Sequence, residues 1–232
     1  MSERLINILV TSFTRILIPG IKVTIPLTIL SFAFSMVLAV VLAVVQVANI
    51  KVLKQISQVY IWIFRGTPLI VQLFIIFFGM PSIGIMIDAF PAAVIAFGMN
   101  LAAYNAEVVR AAILAVPKGQ TEAAYLIGLT PFQTMYRVVL PQAFPIAFPS
   151  LFNNLISLVK DTSLASSITV VELFTTAQQI ASRTYEPFAL YCEAAVIYLI
   201  FCTILTWLQG IIEKKLKWES KDNTIIGSKR TK

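Results

Sequence analysis

The residues of this 232-residue chain that could do chemistry are charged or polar groups set inside long apolar stretches. Ionisable groups are expensive in lipid, so each one inside a span reads first as a functional group. Arg65 precedes Pro68, which cannot donate to the carbonyl of Phe64 and should kink a helix there. The guanidinium could bind a carboxylate, or it could cap the carbonyls that the kink frees. Asn100, Tyr104 and Glu107 are spaced i, i+4, i+7, which puts them within about 60° of one another on a helix. That stripe is either a wall of a polar pathway or a seam between helices, with Glu107 paired to Arg110 at i+3. Further on, Asn153, Asn154, Ser157, Lys160 and Asp161 form a second polar stripe. Lys160 could equally snorkel toward water or pair at the surface. Glu193 stands alone in an apolar run, open to a partner chain or to burial as the neutral acid.

Catalytic chemistry finds little here. The chain has no His, and no nucleophile stands beside a base. Cys192 and Cys202 are ten residues apart in one apolar run, about 15 Å on a helix, too far to bridge. A metal site is not expected. No basic start followed by a small-residue cleavage site marks a signal peptide.

The elements that must position these groups are membrane spans. Hydrophobic residues make up 58% of the chain and charged ones 12%, and the mean hydropathy is +0.86. A soluble domain carries about 25% charged residues. A span needs about 20 mostly apolar residues. The sequence predicts about five, near 21–48, 56–79, 89–116, 144–159 and 188–212. Residues 1–20 read as an interfacial amphipathic segment, 21–216 as one transmembrane domain and 217–232 as a basic tail. Residues 164–179 read as a short helix at the outer surface.

Lys/Arg asymmetry sets the direction. One set of connections holds Lys51, Lys54, Arg110, Lys118, Arg137 and seven basic residues after Glu213. The other holds Arg4, Arg15, Lys22, Lys160 and Arg183. The first set, with the C-terminus, is expected in the cytoplasm, and the N-terminus outside. The net charge of +7 therefore reads as attraction to anionic headgroups, not to nucleic acid.

The longest inside connection, 117–141, looks folded. Glu122–Ile127 is a helix-forming run, and Gly128 can stop it in the left-handed region. Thr130, Pro131 and Gln133 then read as N-cap, N1 and the N3 residue of a capping box. A structured loop on that face suits docking of another protein, and Ala123 and Ala124 allow close approach; packing on the chain's own bundle is the other reading.

Specific motifs now add up. Glu122-Ala123-Ala124, three residues, Gly128, nine residues and Val138-Val139-Leu140-Pro141 resemble the EAA loop of importer-type ABC permeases. Arg65-Gly66-Thr67-Pro68, Ala103-Tyr104-Asn105-Ala106-Glu107 and Lys160-Asp161-Thr162-Ser163-Leu164 are similar to the polar amino acid permeases, the histidine, glutamine, arginine and cystine importers. The resemblance covers roughly residues 20–215. It implies an all-α integral membrane protein with the type I importer permease fold, in a bacterial cytoplasmic membrane. It implies a second permease chain, identical or homologous, a cytoplasmic ABC ATPase dimer and an extracytoplasmic amino-acid-binding protein. Docking to the ATPase would fall on Glu122, Ala123, Ala124, Gly128, Leu140 and Pro141. ATP would be used by that partner, since this chain has no Gly-x4-Gly-Lys-Ser/Thr phosphate loop and is expected to need no cofactor of its own.

An amino acid is a zwitterion, so its site needs acceptors for both charges. The expected lining is Arg65, Tyr104 and Glu107, with Lys160 and Asp161 near the outer rim. The competing function is an ion-coupled secondary amino acid transporter, with Glu107 and Asp161 as ion sites. Five spans without an inverted repeat is an unusual plan for that class. A membrane enzyme is the third and weakest reading.

Overall fold

The computed structural model describes residues 3–48 and 51–229, with side chains through Leu216. The basic tail expected at 217–232 therefore lies outside the described side chains. All regular structure in the described residues is helical.

The chain opens with α1 (Glu3–Pro19), which runs through a π-helical turn (Gly20–Thr24) straight into α2 (Ile25–Ala48). The expected separate N-terminal segment is thus continuous with the first span. Pro19 and Gly20 look like terminators, but Pro19 sits in the last turn of α1 and the wide turn carries the helix past it. Gly20 is buried there, and a Cβ on it would press on Leu173 and Phe201 at 3.0 Å. Ser12 and Ile16 of α1 are buried, and Ser12 Oγ donates to Glu193 Oε2. Glu193 consequently has a partner within the chain.

The second span is broken. The pair α3 (Lys51–Gly66) and α4 (Leu69–Phe74), extended by a π turn and a 3₁₀ turn to Ile83, bends by 107° at residues 67–68. The expected kink at Pro68 is therefore a near-perpendicular corner. Next, α5 (Ala89–Ala115) is the central helix. Ala92, Ala93, Ala96, Ala102, Ala103 and Ala106 are all buried on it, and such small residues let helix backbones approach closely in membranes. Gly98 belongs to the same set, because a Cβ there would collide with the Phe34 ring.

After the connecting loop, α8 (Leu140–Asp161) returns through the bundle. It ends in a 3₁₀ turn (Thr162–Ile168), followed by α9 (Leu173–Thr184) and the long α10 (Pro187–Lys229). Among the described residues, three helices are long and apolar enough to cross a membrane, and the bent pair makes four. The fourth expected span, 144–159, lies inside the 22-residue α8. Length suffices there, but Gln142, Asn153, Asn154 and three prolines dilute its apolar character. Of these, Asn154 is drawn into the bundle, while Gln142 and Asn153 are exposed.

Candidate substrate pathway and coupling loop

Pro68 leaves the Phe64 carbonyl without a helical donor, and the structure supplies two from side chains. Gln72 Nε2 donates to it at 2.9 Å and Asn100 Nδ2 at 3.2 Å. Gln72 also donates to the Thr67 carbonyl and hydroxyl, and accepts from Asn100 through Oε1. Tyr60 Oη donates to the Met99 carbonyl at 2.6 Å, pinning α3 to α5 just below. The capping role open to Arg65 is therefore filled by Gln72 and Asn100.

Arg65 itself is exposed. Its guanidinium lies over the Tyr104 ring, 5.3 Å from the centroid, a cation–π contact worth about 0.5–1 kcal/mol when solvent-accessible. One turn along α5, Glu107 accepts from Arg110 Nη2 at 2.8 Å and from its Nε. Both side chains are about two-thirds buried. The i+3 pairing is thus formed, and it aligns with Arg65 and Tyr104 along one face. Beside it lies a cavity of about 680 Å³ at the end of the bundle that carries the loop, lined among others by Gln46, Lys54, Gln58, Trp62, Glu107 and Arg110. Gln46 is buried there beside Glu107. The face thus presents cations, one carboxylate and a buried amide, which suits a polar cargo carrying both charges.

A second polar group holds the bundle. Asn105 is fully buried; it donates to Ser35 Oγ at 3.1 Å and accepts from Asn154 Nδ2 at 2.8 Å. This joins α2, α5 and α8. Sequence reasoning placed Asn154 in a polar stripe but could not pair it with a residue 49 positions away.

Lys160 and Asp161 end α8, at the far end from the loop. Lys160 opens onto a different cavity, of about 530 Å³, with Phe174, Tyr191 and Tyr198. Asp161 is half-buried. The structure thus brings Arg65, Tyr104 and Glu107 together and sets Lys160 and Asp161 apart from them.

Near that end Glu172, fully buried, caps α9. It accepts from the backbone N–H groups of Phe174 and Thr175 and from Tyr198 Oη at 2.9 Å. Burial pushes its carboxyl above the usual range, and the backbone donors oppose that shift. No local spacing in the sequence signals this residue.

In the connecting loop, α6 (Lys118–Leu126) and α7 (Pro131–Thr134) flank a tight turn. Gly128 has φ +85°, a left-handed conformation. Thr130 Oγ1 accepts from Gln133 N, and Gln133 Oε1 accepts from Thr130 N, the expected capping box. A π turn (Met135–Val139) then runs into α8. Glu122, Ala123, Gly128 and Pro141 are exposed, Leu140 is half-buried, and Ala124 is buried, so Ala124 packs inside the loop. The sequence reading missed the larger feature, an apolar surface of Leu126 at 88% exposure, Ile127 at 77% and Phe132 at 80%.

Comparison with known proteins places this arrangement. Residues 35–218 match the family described as "Binding-protein-dependent transport system inner membrane component". The chain is 52% identical over 206 residues to the L-cystine transport system permease protein TcyB of Bacillus subtilis (strain 168), covering 88% of each chain. It is 35% identical to the arginine transport system permease protein ArtQ of the same organism, covering 87% of this chain and 92% of that one. A solved structure, "Crystal structure of an amino acid ABC transporter with histidines", superposes with a TM-score of 0.82 at 34% identity, covering 93% of this chain and all of the other. The chain belongs to the binding-protein-dependent inner membrane components, as the permease, and not the ATPase, of an ABC uptake system for polar amino acids.

Proposed function

We propose that this chain carries a polar L-amino acid inward along the face formed by Arg65, Tyr104 and Glu107, with Lys160 and Asp161 receiving it near the outer rim. Cystine is the first candidate, from the name of the TcyB relative. The observation that supports the reading is the alignment of Arg65, Tyr104 and Glu107 beside the broken span, with Glu107 and Arg110 opening onto the adjacent cavity. The chain works as half of a pair with a second permease, identical or homologous. Two cytoplasmic ATPase subunits dock on the 117–141 loops and use ATP, and an extracytoplasmic binding protein delivers the cargo. The N-terminus faces outside and the C-terminus the cytoplasm of a bacterial cell.

The test is uptake of labelled cystine by proteoliposomes holding the permease with its ATPase and binding protein. Uptake should require ATP and no ion gradient. Arg65→Gln and Asp161→Asn should each raise the half-saturating concentration about tenfold, the loss of a hydrogen bond to a charged group. Unchanged affinity in both variants places the site elsewhere. Uptake driven by an ion gradient alone overturns the ABC coupling.

A further inference from the structure

The outer end of the molecule holds a basic groove that the transport reading does not use. Arg4, Asn7, Thr11 and Arg15 of α1 line a cavity of about 530 Å³ whose other wall includes Ile180 and Thr184 of α9. The four α1 residues follow i, i+3, i+7, i+11 spacing, so they share one helix face. Arg4 donates through Nη2 to the Thr184 carbonyl at 3.4 Å, a cation at the C-terminal end of α9. Neither guanidinium has an acidic partner among the described residues, and the Arg15 and Asn7 side chains make no hydrogen bond there.

The other side of the same helix fixes the surroundings. Ile6 and Val10 are exposed away from that face, Val10 at 71%. The helical run from Glu3 to Ala48 has 46 residues, about 69 Å at 1.5 Å per residue, while the hydrocarbon core is about 30 Å thick. The run is about twice as long as that core is thick, so part of it stands outside the hydrocarbon, and the basic face of α1 suits the headgroup layer.

We infer that the α1–α9 groove binds anionic phospholipid headgroups through their phosphates at Arg4 and Arg15, which stand about 16 Å apart along the helix. Guanidinium forks match phosphate oxygens in pairs. The Asn7 amide supplies a neutral donor between them.

The test uses the full-length chain in neutral detergent, titrated with phosphatidylglycerol and followed by native mass spectrometry. Phosphatidylglycerol should bind at defined stoichiometry. Binding should fall about thirtyfold in the Arg4→Gln, Arg15→Gln double variant, at about fivefold per surface cation. Arg4→Lys with Arg15→Lys should keep most of the binding, which separates loss of charge from loss of fold. Lys51→Gln with Lys118→Gln, equal charge removed at the opposite end, should leave binding unchanged. Equal loss in that control, or undiminished binding in the first double variant, overturns the proposal. Displacement of the lipid by millimolar inorganic phosphate would assign the groove to free phosphate and overturn it as well.

Discussion

In the core of α2, α5 and α8, alanines are hidden and every amide of the Asn105–Asn154 pair has a partner; in the 118–134 loop, Leu126, Ile127 and Phe132 stand in the open. Both regions rely on small residues, but for different reasons. Within the bundle they bring backbones close, so that van der Waals contact and a few hydrogen bonds hold helices that lipid does not push together. In the loop, Ala123 and Gly128 leave room beside exposed apolar groups. Exposed apolar side chains on α10 can face lipid, but those on a short loop between helix ends have no such shelter. Such a patch fits the docking surface proposed for the loop. The core packs within the chain, and on the proposed function the loop is completed by a partner.

Three substitutions sharpen that contrast. The largest effect is expected at Gly128→Val. No atom lies within 4 Å of the added Cβ, so the cost is conformational, about 1–3 kcal/mol for a bulky residue held at positive φ. Uptake should fall at least tenfold while the chain still inserts and elutes normally. Normal uptake would detach the turn from coupling. Next, Phe132→Ser should weaken ATPase retention by about 2 kcal/mol, as for an aromatic interface anchor, with the permease's thermal stability unchanged. Lower stability together with unchanged ATPase affinity would make Phe132 part of the internal packing. The smallest effect is Asn105→Leu, expected to cost about 1 kcal/mol, seen as a lower melting temperature with ATPase affinity unchanged. If it instead released the ATPase and left the melt intact, the two regions would not be separable.

The local features were legible in the sequence. Pro68 predicted the break, Thr130 and Gln133 the capping box, Gly128 the left-handed turn, and the i+3 spacing the Glu107–Arg110 pair. Each depends on residues within one or two turns of each other. What the sequence withheld was non-local. Gln72 reaches back eight residues to Phe64, and Asn100 reaches 36. Glu172 meets Tyr198 across 26 residues and Thr24 across 148. The apolar loop surface was hidden for another reason: Leu126, Ile127 and Phe132 look like ordinary packing residues until the fold shows that nothing among the described residues covers them. Lys160 and Asp161 were expected further out than Arg65, Tyr104 and Glu107, and α8 carries them to the end of the bundle away from the loop.

The broken second span has a consequence for how the chain enters its membrane. Lys51–Gly66 has 16 residues, about 24 Å of helix, and Leu69–Ile83 is no longer, so neither half bridges a core of about 30 Å alone. During synthesis, the translocon meets this pair before α5 has emerged. Gln72 already serves the Phe64 carbonyl, but that carbonyl gains its second donor, and the Tyr60 hydroxyl its acceptor, only when Asn100 and Met99 arrive. Insertion of the second span is therefore provisional until the third is made, and helix integration here proceeds by hairpin rather than one segment at a time.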